Sequence, residues 1–187
     1  MPTYPWKVAV LVGSLRKGSY SLTIANTIKI VAPGSMKFDF VALGDMPLYN
    51  QDLETDTPPA QWTAFRERIK VADAVLFVTP EYNRSVPAVL KNAIDVGSRP
   101  RGQNVWDGRP GAVVSVSPGA LSAFGAHHHL RQTLVAVNVL TMSQPEAYIG
   151  NVKTLIESDG SSINEKTREF LAKLVAAFEQ WIGKIKG

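Results

Sequence analysis

Asp73-Ala74-Val75-Leu76-Phe77-Val78-Thr79-Pro80-Glu81-Tyr82-Asn83 is the stretch on which the fold turns. The run from Asp73 to Val78 is nearly continuous in apolar residues, without the polar alternation of a half-solvated strand, and Pro80 stops it. A strand of that kind is covered on both faces, which places it inside a parallel sheet with helices above and below. Upstream, Gln61 to Val71 has a helical pattern. Downstream, Pro87 has the fixed φ of a first helical turn, and Val89, Leu90, Ala93 and Ile94 form the buried stripe of a helix.

The same alternation extends to both ends. A β-rich run, Trp6 to Val12, ends at Gly13 and is followed by a helix carrying Leu22, Ala25, Ile28 and Val31 up to Pro33-Gly34. A second strand covers about Met36 to Leu43, and Gly44 to Pro59 is a long, polar, proline-bearing loop. Beyond the polar connection Gly97 to Gly108, a strand is expected over Gly111 to Ser117, a helix over Ser122 to Val137 and a short strand near Val139 to Met142. The last helix shows Ser162 and Glu165 at capping-box spacing, with Ile163, Phe170, Leu171, Leu174, Val175, Phe178, Ile182 and Ile185 in helical period. Five strands alternating with five helices specify an α/β domain with a mostly parallel sheet, expected to occupy residues 1–187 as one domain.

Ligands of such a sheet bind beyond the carboxyl ends of its strands, where strand order reverses. The loops to weigh are therefore 13–21, 44–57, 79–87 and 117–125. Gly13-Ser14-Leu15-Arg16-Lys17-Gly18-Ser19-Tyr20-Ser21 opens a helix, where unpaired amides and a partial positive charge favour an anion. Its spacing matches neither Gly-x-Gly-x-x-Gly nor a P-loop, and the side chains of Ser14, Arg16, Ser19 and Ser21 suit a terminal phosphate monoester. The plain alternative is that Ser19 or Ser21 only caps the helix. In the loop after the central strand, prolines at both ends restrict the backbone and Tyr82 would wall a flat ligand, unless Glu81 and Asn83 merely bond their own turn. Ser117-Pro118-Gly119 permits close backbone approach, although Gly119 is equally read as a strand terminator.

Composition excludes several chemistries. The 187 residues contain no cysteine, so there is no thiolate nucleophile, no disulfide, no sulfur-ligated zinc and no dithiol relay. If the protein handles electrons, a bound cofactor must carry them. A net charge of +4 allows nucleic acid without arguing for it. No basic-then-apolar leader stands at Met1 to Lys7 and no apolar run approaches membrane-spanning length, so a soluble cytoplasmic protein is expected. His127-His128-His129 cannot converge on one ion, because consecutive helical residues point about 100° apart; a surface or interface position is expected. From Arg84 to Arg109 five basic residues face two acidic ones, an excess expected near the ligand, and Trp106 lies in a loop that could cover it.

Gly13 to Ser19 together with Pro80-Glu81-Tyr82-Asn83-Arg84-Ser85-Val86-Pro87-Ala88-Val89-Leu90-Lys91-Asn92-Ala93-Ile94-Asp95 resembles the NADPH-dependent FMN reductase family, which includes quinone and chromate reductases. The resemblance extends to Leu48-Tyr49-Asn50 and to nearly the whole chain. It implies a flavodoxin-like three-layer sandwich with a five-stranded parallel sheet in the order 2-1-3-4-5. It further implies FMN held by Ser14, Arg16, Ser19 and Ser21 at its phosphate, with Tyr20 beside them, by Pro80, Glu81, Tyr82 and Asn83 along the ring, and by Ser117 and Gly119 on the ribityl or ring side. NADPH or NADH would be the donor and quinones, free flavin, azo compounds or chromate the acceptors. A homodimer or homotetramer is implied, with the Tyr49-Asn50 loop and the Leu90 to Ile94 helix at its interface. A flavodoxin-like electron carrier or a flavin-binding regulatory module is the alternative.

Overall fold

The computed structural model describes residues 5–159 and 161–187, so part of the N-terminal stretch considered for a leader, residues 1–4, lies outside the described residues. In chain order the elements are β1 (Trp6–Val12), α1 (Tyr20–Val31), β2 (Met36–Phe40), α2 (Ala60–Lys70), β3 (Ala74–Thr79), α3 (Ala88–Gly97), β4 (Pro110–Val116), α4 (Phe124–Ala136), β5 (Leu140–Thr141), β6 (Ala147–Ile149) and α5 (Glu165–Lys186). The sheet is parallel throughout, ordered β2-β1-β3-β4-β5, with β6 also pairing β4.

Strand pleating assigns neighbouring residues to opposite faces. Val8, Val10, Leu76 and Val114 meet Ile24 and Ile28 of α1 and Leu171, Leu174, Phe178 and Ile182 of α5. Ala9, Leu11, Phe77 and Val113 meet Trp62, Phe65 and Ile69 of α2, Leu90 and Ile94 of α3, and Leu130 and Leu134 of α4. Every residue of β3 is buried, as expected of a strand with helices on both faces. The three layers and the strand order agree with the flavodoxin-like expectation.

Two expectations are corrected. The fifth sheet position is shared: β5 pairs Pro110 and Gly111, β6 pairs Val114 to Val116, and the chain between them carries Pro145, which has no amide to give a ladder. The cap of α5 is Asn164, whose side chain accepts from the Thr167 amide at 3.0 Å, and the helix starts at Glu165. Ser162 instead donates to Asp159, and the Ser161 and Ser162 amides bond the same carboxylate, holding its pKa down at about 2. Among the described residues no helix is long and apolar enough to cross a membrane.

Candidate functional site

Because the strands are parallel, the segments following β1, β3 and β4 emerge at one edge of the sheet. Gly13 is required there by packing: a Cβ would fall 2.7 Å from Leu90 Cδ1 and 3.0 Å from Pro80 Cδ. Gly18 turns the loop in the left-handed region, φ +66°. Ser19, almost fully buried, is the N-cap of α1 and accepts from the Leu22 amide at 3.4 Å. Ser14 Oγ accepts from the Arg16 amide, while the Arg16 guanidinium lies 5.2 Å from the Tyr20 ring centre with its side chain exposed. Ser21 is buried in the first turn. Hydroxyls, a guanidinium and the free amides of a helix N-terminus are thus gathered in one loop, a donor set that fits a phosphate group.

The loop after β3 folds back as a two-residue turn. Tyr82 and Ser85 exchange backbone hydrogen bonds at 3.1 and 3.0 Å, with Asn83 and Arg84 both at positive φ. Half-exposed Tyr82 leans toward the first loop, its hydroxyl donating to Ser14 Oγ at 3.3 Å. The Glu81 carboxylate points the other way. It accepts from the Ala126 amide at 3.0 Å and lies 3.5 Å from Arg84, so it caps α4, whose own N-cap position holds Ala123. The positive end of α4 thus holds the Glu81 carboxylate, leaving the main chain of this residue facing the loop. Ser117 Oγ accepts from the Gly119 amide at 3.0 Å, and the Gly119 carbonyl accepts from Ser122 and Asn151. The structure therefore brings Ser14, Arg16, Ser19 and Tyr20 into one loop and links it to Tyr82. Pro80 and Asn83 flank Tyr82 in the adjoining loop, and Ser117 and Gly119 occupy the loop after β4.

The histidine run proves mixed. His127 is fully buried, against expectation, because the face of α4 that carries Leu130 and Leu134 inward carries it as well. Neither of its ring nitrogens has a hydrogen-bond partner. Burial, with help from Arg131 and His128, pushes its pKa down to about 4. His128 and His129 are exposed; His128 Nε2 meets the Tyr148 hydroxyl at 3.1 Å, and His129 Nδ1 meets Ser85 Oγ at 3.2 Å. Tyr148 donates to Glu146 at 3.0 Å, and burial together with that bond raises its pKa to about 12.

Other expectations move away from the site. The 44–57 loop lies along α2 and α3: the Tyr49 amide donates to Asn92 at 2.7 Å, Trp62 and Asn92 donate to the Pro47 carbonyl, and Arg99 reaches Glu54 at 2.9 Å. Leu90 and Ile94 are buried in the core, while Leu48 and Leu53 of the 44–57 loop are exposed. The basic excess disperses because α3 runs antiparallel to the strands and carries the following residues to the opposite edge. There Arg109 donates to the Val105 and Ala72 carbonyls just before β4 starts. Lys91 pairs with Asp95 and Arg99 with Glu54, while Arg84 stands in the turn after β3 itself. Trp106 is fully buried, its indole donating to the Ile94 carbonyl at 3.0 Å, and covers no ligand.

A flavodoxin-like sheet whose first strand feeds a phosphate cradle, with a tyrosine wall from the third, defines a mononucleotide-binding α/β protein. The sequence profile of the NADPH-dependent FMN reductases matches residues 6–154, and the chain belongs to that family. It is 54% identical over 177 residues to a quinone reductase of Pseudomonas putida, covering 95% of both chains. It is 43% identical to a 2-hydroxy-1,4-benzoquinone reductase of Burkholderia sp., covering 94% of this chain and 96% of that one. Among solved structures it superposes on FerB, a flavoenzyme NAD(P)H:(acceptor) oxidoreductase from Paracoccus denitrificans, with a TM-score of 0.89 at 45% identity, over 96% of this chain and 98% of the other. The protein is an oxidoreductase with FMN as cofactor and NAD(P)H as donor.

Proposed function

We propose that this chain is a quinone reductase in which FMN sits on the edge formed by the loops after β1, β3 and β4. The observation that carries the placement is the junction of two loops by the Tyr82 to Ser14 hydrogen bond, directly above the capped N-terminus of α1. Ser14, Arg16, Ser19 and Ser21 with the first amides of α1 would hold the phosphate, with Tyr20 supporting Arg16 from below. The backbone of Pro80 to Asn83 and the Tyr82 ring would border the isoalloxazine. At position 81 the flavin would meet main chain, since the carboxylate is occupied by α4. Ser117 and Gly119 would close the remaining side.

FMN supplies the chemistry, accepting a hydride and passing two electrons on. In sum NAD(P)H, one proton and a quinone yield NAD(P)+ and a hydroquinone. The side chains orient the cofactor, and the exposed Arg84 and Arg16 offer positive charge to the anionic donor. The names of the two close relatives support quinones as acceptors. An open site of this kind also suits free flavin, azo compounds and chromate. Dependence on a reduced nicotinamide nucleotide supports a cytoplasmic place of action. The exposed Leu48 and Leu53 on the α2 and α3 face support assembly with a second copy.

Anaerobic mixing of the FMN-loaded protein with NADPH tests the reading: rapid loss of the yellow colour, restored by 1,4-benzoquinone, is expected. Bleaching too slow for turnover would make the protein a carrier or sensor.

A further inference from the structure

Where the loop after β4 enters α4, the chain does the reverse of ordinary packing. It buries a small residue, Ala123, at 2% exposure and leaves Phe124, the first residue of α4, 55% exposed. It does so through two successive non-glycine residues in the left-handed region, Ser122 and Ala123, both at φ 57°. Such a conformation is unfavourable for residues with a Cβ and persists only where the surroundings over-determine it. Here Ser115 Oγ donates to the Ser122 carbonyl at 2.8 Å, and the Ser122 amide donates to the Gly119 carbonyl.

The displayed ring is also held in place. His128, one helical turn on, lies 4.2 Å from it between ring centres, and Tyr148 of β6 lies 5.6 Å away at 31°. Tyr148 is in turn fixed by Glu146 and His128. The next residue, Gly125, is pressed against the Arg84 carbonyl and the Glu81 carboxylate, where a Cβ would come to 2.9 and 3.0 Å. Phe124 therefore stands where the loops after β3 and β4 meet, with exposed Leu121 and half-exposed Tyr82 in the same pair of loops.

We propose that Phe124, backed by His128 and Tyr148, is the platform that seats the planar ring of the acceptor and sets the preference for quinones. This rests on the flavin placement proposed above. A rigid aromatic face costs little entropy to use and pairs with another ring by offset or edge contact, which a rounded inorganic acceptor cannot exploit.

The test is steady-state turnover of FMN-loaded wild type, Phe124→Ala and Phe124→Tyr with 1,4-benzoquinone and, separately, ferricyanide. Phe124→Ala should raise the quinone KM about three- to tenfold, the range for one aromatic pair, and Phe124→Tyr should restore it. The ferricyanide KM and the rate of anaerobic reduction by NADPH should not move. An unchanged quinone KM in a protein that binds FMN normally overturns the platform and leaves the flavin site standing. Equal losses with both acceptors, together with a smaller mass by light scattering, overturn it in favour of a face covered by a second copy. A wild-type protein that takes up no FMN overturns both readings.

Discussion

The Glu81 carboxylate accepts the Ala126 amide at 3.0 Å, so a residue in the loop after β3 terminates a helix that begins more than forty residues later. Helix α4 has no side-chain cap of its own, and its first turn would otherwise leave a buried amide unpaired. The same bond ties the proposed ring-side loop to the loop after β4. Glu81→Ala should therefore lower global stability by about 1–2 kcal/mol, as loss of a cap does, read as a reduced urea midpoint. It should also weaken FMN binding, because the loop that the bond steadies is the proposed ring side. Glu81→Gln, which keeps an acceptor, should recover most of the stability. An unaltered midpoint for Glu81→Ala would show that the bond contributes nothing.

Arg16 is exposed and ion-paired to no residue among those described; its guanidinium rests beside the Tyr20 ring. A charge held there without a protein partner is available to a phosphate dianion. Arg16→Ala should weaken FMN binding by roughly 1.5–3 kcal/mol, the worth of a charge-assisted hydrogen bond, with little effect on folding. Fluorescence titration of apoprotein with FMN measures it. Riboflavin, lacking the phosphate, provides the control: its affinity should be the same for wild type and variant.

The bond between Tyr82 and Ser14 separates two contributions of one side chain. Tyr82→Phe keeps the wall and removes the hydroxyl, so FMN affinity should fall only severalfold, the net worth of about 1 kcal/mol for a neutral hydrogen bond. Tyr82→Leu removes the aromatic face and should cost more. Equal losses in the two variants, in the same titration, would mean that the hydroxyl rather than the ring holds the site together.

Much of this architecture is written in local pattern. The unbroken apolar run ending at Val78, the helical stripe of α3 and the glycine after Val12 each follow from side-chain period and backbone sterics within a few residues, and the structure agrees at all three. Pairings between distant residues are not written that way. The capture of Glu81 by α4 depends on Ala123 standing where a capping residue normally does, a clue visible only once the helix start is known. The basic stretch after α3 looked local to the site because sequence distance hides direction: a helix antiparallel to its strand delivers the following residues to the far edge. Asp159 similarly takes Ser162 out of the capping role that its spacing to Glu165 suggests.

Gly97 marks the close approach of α3 to Trp106. A Cβ at that position would fall 2.5 Å from the indole ring, which is itself fully buried against Phe65 and Phe77. A rigid indole in a filled core has nowhere to go, so Gly97→Ala should destabilise by about 1–3 kcal/mol through overpacking, even though alanine is the better helix former. Thermal unfolding of the variant measures the loss. A gain in stability would mean that α3 shifts freely, and the packing of this face would then have to be looser than its buried residues indicate.

His127 provides the pH dependence. Its ring is fully buried without a hydrogen-bond partner, and its pKa falls from 6.5 to about 4, so the native state excludes a proton that the unfolded chain accepts. Below pH 6.5 the unfolded state binds more protons, and stability decreases as pH falls, until the native ring also protonates near pH 4. At pH 5 the loss from this residue should be about 2 kcal/mol relative to pH 7.5, because each tenfold difference in proton affinity between the two states is worth about 1.4 kcal/mol. His127→Leu removes the titrating group and two unpaired polar atoms at once. It should be as stable as wild type or slightly more so at pH 7.5, and clearly more stable at pH 5. Urea midpoints for both proteins at the two pH values measure this. If the wild type and the variant lose the same stability on acidification, the buried imidazole is being protonated at its ordinary pKa, and some group able to receive that proton's hydrogen bond must face it in solution.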